Sequence, residues 1–131
     1  PNSLIIEGLA QTGGLLVAEH SRFEARVVLA KLSRAVFHAR AEPGDTLQYR
    51  VVLQSVSKEG AVVTGTSYLG ERLQGEVEIF FAHLPEEFAG KSLFEPEQFL
   101  AMLEQLGVFR VGRNADGTPI EIPPALLASV A

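Results

Sequence analysis

Hydrophobic and polar positions change their period along this chain, and the changes mark its elements. From residue 3 to about residue 20, Leu4, Ile5, Leu9, Leu15 and Leu16 are apolar. So are Ile6, Ala10, Val17 and Ala18, which leaves little polar circumference. That pattern predicts a buried α-helix rather than a surface one. Gly8, Gly13 and Gly14 interrupt it, each at a cost of roughly 1 kcal/mol relative to alanine. The expected compensation is close approach of other backbone, as when a sheet curls around the helix. Ser3 is the expected N-cap, and His20 suits the negative pole at the far end.

From residue 45 to 57 the period becomes two: Leu47, Tyr49, Val51 and Leu53 alternate with Gln48, Arg50, Val52 and Gln54, a strand signature. Lys58-Glu59-Gly60 and Gly70-Glu71-Arg72 are turn sequences. They separate strands expected at 61–69 and 73–84, the latter with Val77, Ile79 and Phe81 opposite Glu76, Glu78 and Phe80. Residues 25–41 are rich in Val, Leu and Phe and predict one long or bent strand, after which Pro43-Gly44-Asp45 turns the chain. A helix followed by consecutive strands at hairpin spacing predicts an α+β fold, one curved antiparallel sheet wrapped around one long central helix.

After Pro85 the character changes. Glu95-Pro96 opens an amphipathic helix, with proline at a tolerated first-turn position. Phe99, Met102, Leu103 and Leu106 follow at i, i+3, i+4 and i+7, and Gly107 stops it. Asn114-Ala115-Asp116-Gly117 reads as a turn and residues 119–124 as an extended tail. The predicted organisation is one domain over residues 1–84, its N-terminal part expected upstream of Pro1. Residues 85–131 are a C-terminal helical extension, packed on that domain or on a partner subunit.

Composition narrows the function classes. A length of 131 residues fits one domain, and 47% hydrophobic with 21% charged residues is the profile of a soluble globular protein. No apolar run approaches the ~18 residues of a membrane span, so no membrane association and a cytoplasmic location are expected. The chain has no cysteine, which excludes disulfides and thiolate metal sites within it. A net charge of −5 argues against a nucleic-acid surface. Charge is uneven, however: within residues 22–40, Arg22, Arg26, Lys31, Arg34 and Arg40 face Glu24 alone. Such a strip suits an acidic partner or a phosphate-bearing ligand, although a solvated strand face is the commoner meaning.

The chemistry-bearing candidates lie at the start of the helix. Glu7 and Gln11 are four apart and project from one face. A carboxylate among leucines and isoleucines loses hydration, which favours its protonated form. Gln11, one turn on, is placed to hydrogen-bond it. A glutamate satisfied by backbone or a neighbouring subunit fits the spacing equally well. The backbone N–H groups of Asn2, Ser3 and Leu4 lack intrahelical acceptors and can polarise a carbonyl as charge develops on its oxygen. An ordinary solvated helix end is the alternative there.

The run PNSLIIEGLAQTGG resembles the central-helix motif of the β-hydroxyacyl-acyl-carrier-protein dehydratases, P-G-V-L-x-x-E-A-x-A-Q-x-x-G. Phe37, followed by Glu42-Pro43-Gly44-Asp45-Thr46-Leu47, resembles that family's second landmark, an aromatic residue leading into V-x-P-G-D-x-L. The resemblance covers about residues 1–84 and implies a hot-dog fold. It implies too a homodimer, or a higher homo-oligomer, whose sheets pair across the interface, with an apolar acyl tunnel between subunits. It further implies cofactor-free dehydration of 3-hydroxyacyl groups on acyl carrier protein, with Glu7 as the acid and Gln11 as its support. Asn2 stands where the family has the glycine whose N–H binds the thioester carbonyl, with Ser3 beside it, and Val28, Leu29 and Phe37 are candidates for the tunnel wall.

The family's base is a histidine in an H-F-P motif about eight residues before the position of Pro1, so the base is expected upstream of this chain. His20 lies thirteen residues past Glu7, roughly 20 Å along the helix. His38 and His83 fall on strands whose faces the pattern does not assign, and neither is the expected base. Three scattered histidines predict no metal site. Two other readings stay open: a hot-dog acyl-thioesterase, and a non-catalytic acyl-binding or assembly subunit.

Overall fold

A computed structural model describes residues 1–23, 26–84 and 96–128. Glu24 and Ala25, and Pro85 and Glu95, on which expectations above were placed, lie outside the described residues. The chain divides into two compact units, Pro1–Pro85 and Glu86–Ala131.

The first unit is α+β. Helix α1 (Asn2–His20) precedes β1 (Val27–Phe37), β2 (Leu47–Val56), β3 (Gly60–Leu69) and β4 (Arg72–His83). The strands form one antiparallel sheet in the order β1-β4-β3-β2. Turn chemistry sets the connections. Glu42-Pro43-Gly44-Asp45 places Gly44 at φ 95°, the left-handed position that a type II turn reserves for glycine after proline. The Asp45 N–H donates to the Glu42 carbonyl at 3.0 Å, and the Asp45 carboxylate accepts the Glu42 N–H at 2.8 Å. The P-G-D sequence thus closes its own turn with its own side chain. Leu69 pairs with Arg72 across a two-residue loop whose first member, Gly70, has φ 61°, the hairpin position that needs glycine.

Alternation sorts the sheet into two faces. Ala61 and Val63 of β3 and Val77, Ile79 and Phe81 of β4 are buried against Ile5, Leu9, Ala10 and Val17 of α1. Leu47, Tyr49, Val51 and Leu53 of β2 pack partly buried around that cluster, as the period-two pattern predicts. The glycines of α1 admit side chains rather than the backbone expected from the sequence. A Cβ on Gly8 would meet the Tyr49 ring, and one on Gly13 would come within 3.2 Å of Phe81 and 3.3 Å of Val63. Ser3 is not the N-cap: it lies inside the helix, whose cap position is Pro1 and carries no side-chain hydrogen bond.

The strand expected over 25–41 is shorter and is bent. Register shifts between Leu29 and Lys31, and between Leu32 and Arg34, insert a residue at each place, and such bulges kink an edge strand. Leu29 and Leu32 pair with Phe81 and Ile79 on the helix-facing side but remain 48% and 37% exposed. Helix α1 leaves these two leucines partly uncovered.

In the second unit, α2 (Pro96–Gln105) is followed by α3 (Val108–Val111) and α4 (Pro124–Ala128). Leu100 and Leu103 are its buried positions on α2, whereas Leu106 is 59% exposed. The expected stripe loses Leu106 because the helix ends at Gln105 and Gly107 takes φ 70°, which breaks the helical period. Arg113 and Pro119 bridge around the Asn114–Gly117 turn. Residues 120–123, within the tail expected to be extended, hold no helix, and α4 begins at Pro124.

Candidate functional site

The side chains singled out at the helix start are brought together in part. Gln11 Nε2 donates to Glu7 Oε1 at 2.8 Å, a contact that the helical spacing sets. Both side chains are exposed. The expectation of a buried carboxylate, shielded among leucines and isoleucines, is therefore corrected: Glu7 is exposed. Ile5, Leu9, Ala10, Gly13 and Val17 turn toward the sheet, so Leu4, Glu7 and Gln11, at i, i+3 and i+7, occupy the opposite face, where Leu4 is 65% exposed.

At the helix start the Leu4 N–H is already used, donating to the Pro1 carbonyl at 3.0 Å. Among the described residues no acceptor is found for the N–H groups of Asn2 and Ser3, which therefore carry the positive end of the helix dipole. Asn2, but not Ser3, lines a groove of about 700 Å³. Its helix wall is Pro1, Asn2, Leu4 and Ile5, and the opposite wall is residues 40–43 with Leu47 and Tyr49 of β2. Most of that surface is apolar, and Arg40 and Glu42, 3.2 Å apart and both well exposed, form a polar rim. Glu7 is not part of the wall; it follows Leu4 by three residues on the same helix face.

Val28 and Phe37 stand apart from this groove. Phe37 pairs with Gly75 and packs on the core cluster. Val28 pairs with Ala82 near the other end of β1 and is 45% exposed. At ~3.3 Å per residue the two are roughly 30 Å apart along the strand. The histidines are also dispersed. His38 Nε2 lies 2.7 Å from Glu76 Oε2, and Glu76 alternates with Val77, so the pair sits on the sheet face away from α1. His83 Nδ1 is 2.9 Å from the Lys58 carbonyl, and His20 ends α1. Among the described residues no group of three His, Cys, Asp or Glu could hold a metal ion. No helix among them is long and apolar enough to cross a membrane.

Two features escaped the sequence pattern. Tyr49 is a groove wall, although the alternation of β2 already put it on the helix-facing side with Leu47 and Val51. Ser67 and Gln74 are fully buried polar residues joined through Ser67 Oγ and Gln74 Oε1. Nothing in the spacing signals their pairing.

The class defined so far is an α+β unit with a carboxylate–carboxamide pair on one helix, beside a helix start that opens on an apolar groove. No family model matches the chain. Among curated proteins it is similar to the 3-hydroxyacyl-[acyl-carrier-protein] dehydratase FabZ of Clostridium kluyveri, at 32% identity over 82 residues, covering 62% of this chain and 57% of the relative. The enzyme of the same name from Pelotomaculum thermopropionicum is 35% identical over 83 residues, 63% of this chain and 59% of the relative. That from Fusobacterium nucleatum is 35% identical over 82 residues, 62% and 57%. The matched part thus spans less than two thirds of each of these relatives.

Proposed function

We propose that this chain is the acid-bearing part of a hot-dog-fold dehydratase. In this reading it converts 3-hydroxyacyl groups on acyl carrier protein to trans-2-enoyl groups, without cofactor, in the cytoplasm. The observation that carries the reading is the Glu7–Gln11 hydrogen bond of 2.8 Å, set one to two turns from unpaired helix-start amides at the mouth of a groove. The similarity to enzymes named as dehydratases supports it.

The thioester carbonyl oxygen accepts the Asn2 N–H, and the helix dipole stabilises the charge that grows on it as the C2 proton leaves. The base is the histidine that the family resemblance puts upstream of Pro1. The C3–O bond then breaks with its electron pair on oxygen, protonated Glu7 gives that oxygen its proton, and water departs as the C2–C3 double bond forms. Because Gln11 donates to Oε1, Oε2 is the oxygen left to carry the proton. Asn2 supplies the same N–H as a glycine would, while its side chain narrows the entrance.

An acid of this kind needs partial desolvation, and the single chain does not provide it. A second copy does so in this reading. The Leu4–Glu7–Gln11 face is open, and β1 ends the sheet with Val28, Leu29 and Leu32 exposed. Apolar edge strands of this sort are ready to pair with another strand.

Replacing Glu7 by glutamine in the whole protein tests the assignment. Loss of a general acid slows the reaction by about 10²–10⁴-fold, and far-ultraviolet circular dichroism and oligomeric state stay unchanged. Ultraviolet absorbance of the conjugated enoyl thioester follows turnover. Normal turnover in this variant would remove Glu7 from the chemistry, and release of free thiol by the unaltered protein in place of enoyl product would make the reaction a hydrolysis.

A further inference from the structure

Glu7 is followed at once by Gly8, and a glycine inside a helix leaves its turn the freest to move. Gln11 does not remedy this. It donates to the Glu7 carboxylate at 2.8 Å but rides on the same helix, so it fixes the side chain relative to α1 and not α1 relative to the sheet. The Thr12 hydroxyl, which donates to the Gly8 carbonyl at 2.7 Å, is likewise a contact within the helix. Ile5 and Leu9 hold α1 down on the sheet, yet a helix seated on one stripe can still roll about it.

The contact that opposes rolling comes from β2. A Cβ on Gly8 would stand 2.8 Å from both Cζ and Oη of Tyr49, so the ring fills the notch that the glycine leaves. The ring is itself packed against the core cluster and is no free flap. Gly8 precedes Leu9 by one residue, about 100° round the helix, which puts the notch on the flank of α1 that meets β2. The dehydratase motif that this helix resembles has alanine at this place, where the ring leaves no room for one.

Resting on the assignment of Glu7 as the acid, we propose that Tyr49 is its positioning residue: the ring seated in the Gly8 notch stops α1 from rolling and so holds the carboxyl in place. Glu7 lies about 200° round the helix from Leu9, on the side that a roll moves most freely. With side chains the helix has a radius of roughly 5–6 Å, so a roll of about 10° carries the carboxyl about 1 Å. A misplacement of about 1 Å can slow a reaction roughly a hundredfold. Tyr49 also lines the groove beside Asn2. A role in holding substrate would therefore appear in KM, whereas positioning of the acid appears in kcat.

The test is steady-state turnover of the whole protein, followed by enoyl absorbance, together with amide hydrogen exchange along α1. In Tyr49→Ala kcat falls by about tenfold or more while KM stays within twofold. Tyr49→Phe keeps the atoms that fill the notch and restores kcat to within threefold. Gly8→Ala unseats the ring and costs a similar factor alone, but less than twofold in the Tyr49→Ala background, because the two act through one contact. Exchange in Tyr49→Ala quickens at least tenfold over residues 7–12 and stays within twofold over residues 15–20. Tyr49→Leu replaces Tyr49→Ala if circular dichroism shows that variant unfolded. A kcat that Tyr49→Ala leaves unmoved, losses that multiply in the double variant, or exchange that quickens equally along the helix overturns the proposal. Enoyl product with any of these results ends the positioning role and leaves the dehydratase reading standing. Absence of enoyl product from the unaltered protein ends that reading instead, and the exchange pattern still decides whether the ring pins the turn.

Discussion

Gln74→Leu probes the most enclosed polar contact in the sheet. Gln74 and Ser67 are both fully buried. The Ser67 hydroxyl donates to Gln74 Oε1, and Gln74 Nε2 donates to the Ala39 carbonyl at 2.9 Å. The Gln74 backbone carbonyl accepts the N–H groups of His38 at 2.8 Å and Ala39 at 3.4 Å, and these main-chain bonds survive the substitution. The two side-chain bonds do not. A buried hydroxyl left without a partner costs about 1–3 kcal/mol. The Ala39 carbonyl is only half-buried and can turn to water, so its loss adds about 1 kcal/mol. The expected destabilisation is about 2–4 kcal/mol, which for a unit of this size lowers the melting temperature by roughly 10–20 °C.

A double-mutant cycle separates this account from a simple packing effect. Ser67→Ala alone strands Gln74 Oε1 and costs about 1–3 kcal/mol. Ser67→Ala combined with Gln74→Leu removes donor and acceptor together, so the double variant loses less than the two single losses added, by about 1–3 kcal/mol. Urea unfolding of the four proteins, followed by far-ultraviolet circular dichroism at matched m-values, reads the difference. Strict additivity, or a Gln74→Leu loss below about 0.5 kcal/mol, would refute the reasoning. Ala39 also leads into the groove-lining residues 40–43, so the same substitution loosens one groove wall and weakens thioester binding.

Other expectations are simpler. Gly60→Ala aims a methyl group at the Phe81 carbonyl oxygen, a backbone atom that cannot swing aside, and costs about 3 kcal/mol in urea unfolding, the upper end of overpacking losses. Gly44→Ala has open space around it and suffers only its φ of 95°, about 1–2 kcal/mol. A Gly60 loss no larger than the Gly44 loss would contradict the packing. His38→Ala breaks an exposed pair on the far face of the sheet; it changes stability by less than about 1 kcal/mol and leaves turnover within twofold, whereas a hundredfold loss would make His38 the base. The Asp116 carboxyl is held below its usual 3.8, first by the Thr118 hydroxyl and then by the Thr118 N–H, both of which donate to it. A depressed carboxylate contributes stability above the unfolded value and loses it as pH falls through the folded one. The Asn114–Thr118 turn therefore loosens only below about pH 4, and Thr118→Val moves the Asp116 midpoint, read by carbon NMR, toward 3.8.

The sheet was legible because its signals are local. Period-two alternation put Leu47, Tyr49, Val51 and Leu53 on one face, and Pro43-Gly44 and Gly70-Glu71 carry their turn types in their own backbone requirements. The Glu7–Gln11 contact was legible for the same reason, since helical geometry alone brings i and i+4 together. What was hidden depends on residues distant in sequence. Gln74 meets Ala39 across two strands, and the ring that fills the Gly8 notch comes from position 49. The bends at Leu29/Lys31 and Leu32/Arg34 have no compositional marker, since Ala30 and Ser33 are unremarkable strand residues. Leu106 was misplaced because a left-handed Gly107 ends the helical period one residue early.

The misjudged burial of Glu7 has a physical cause that bears on the proposed function. Apolar periodicity records where a surface finally rests, including surfaces shared between chains. One four-stranded sheet covers one stripe of a helix, and the stripe on α1 is Ile5, Leu9, Gly13 and Val17. The helix carries more apolar surface than that stripe uses, and Leu4 at 65% exposure is its clearest excess. The sheet shows the same surplus at Leu29 and Leu32, which face the helix side without being covered by it. Leaving a leucine side chain in water rather than buried forgoes about 1.5–3 kcal/mol, so three such residues in one unit of marginal stability favour a second surface over solvent. A second copy of the chain laid against them would also take water from Glu7, which shares its helix face with Leu4. On that argument the acid and the oligomer are one proposal: Glu7, exposed in the single chain, lies beside Leu4, which is exposed with it.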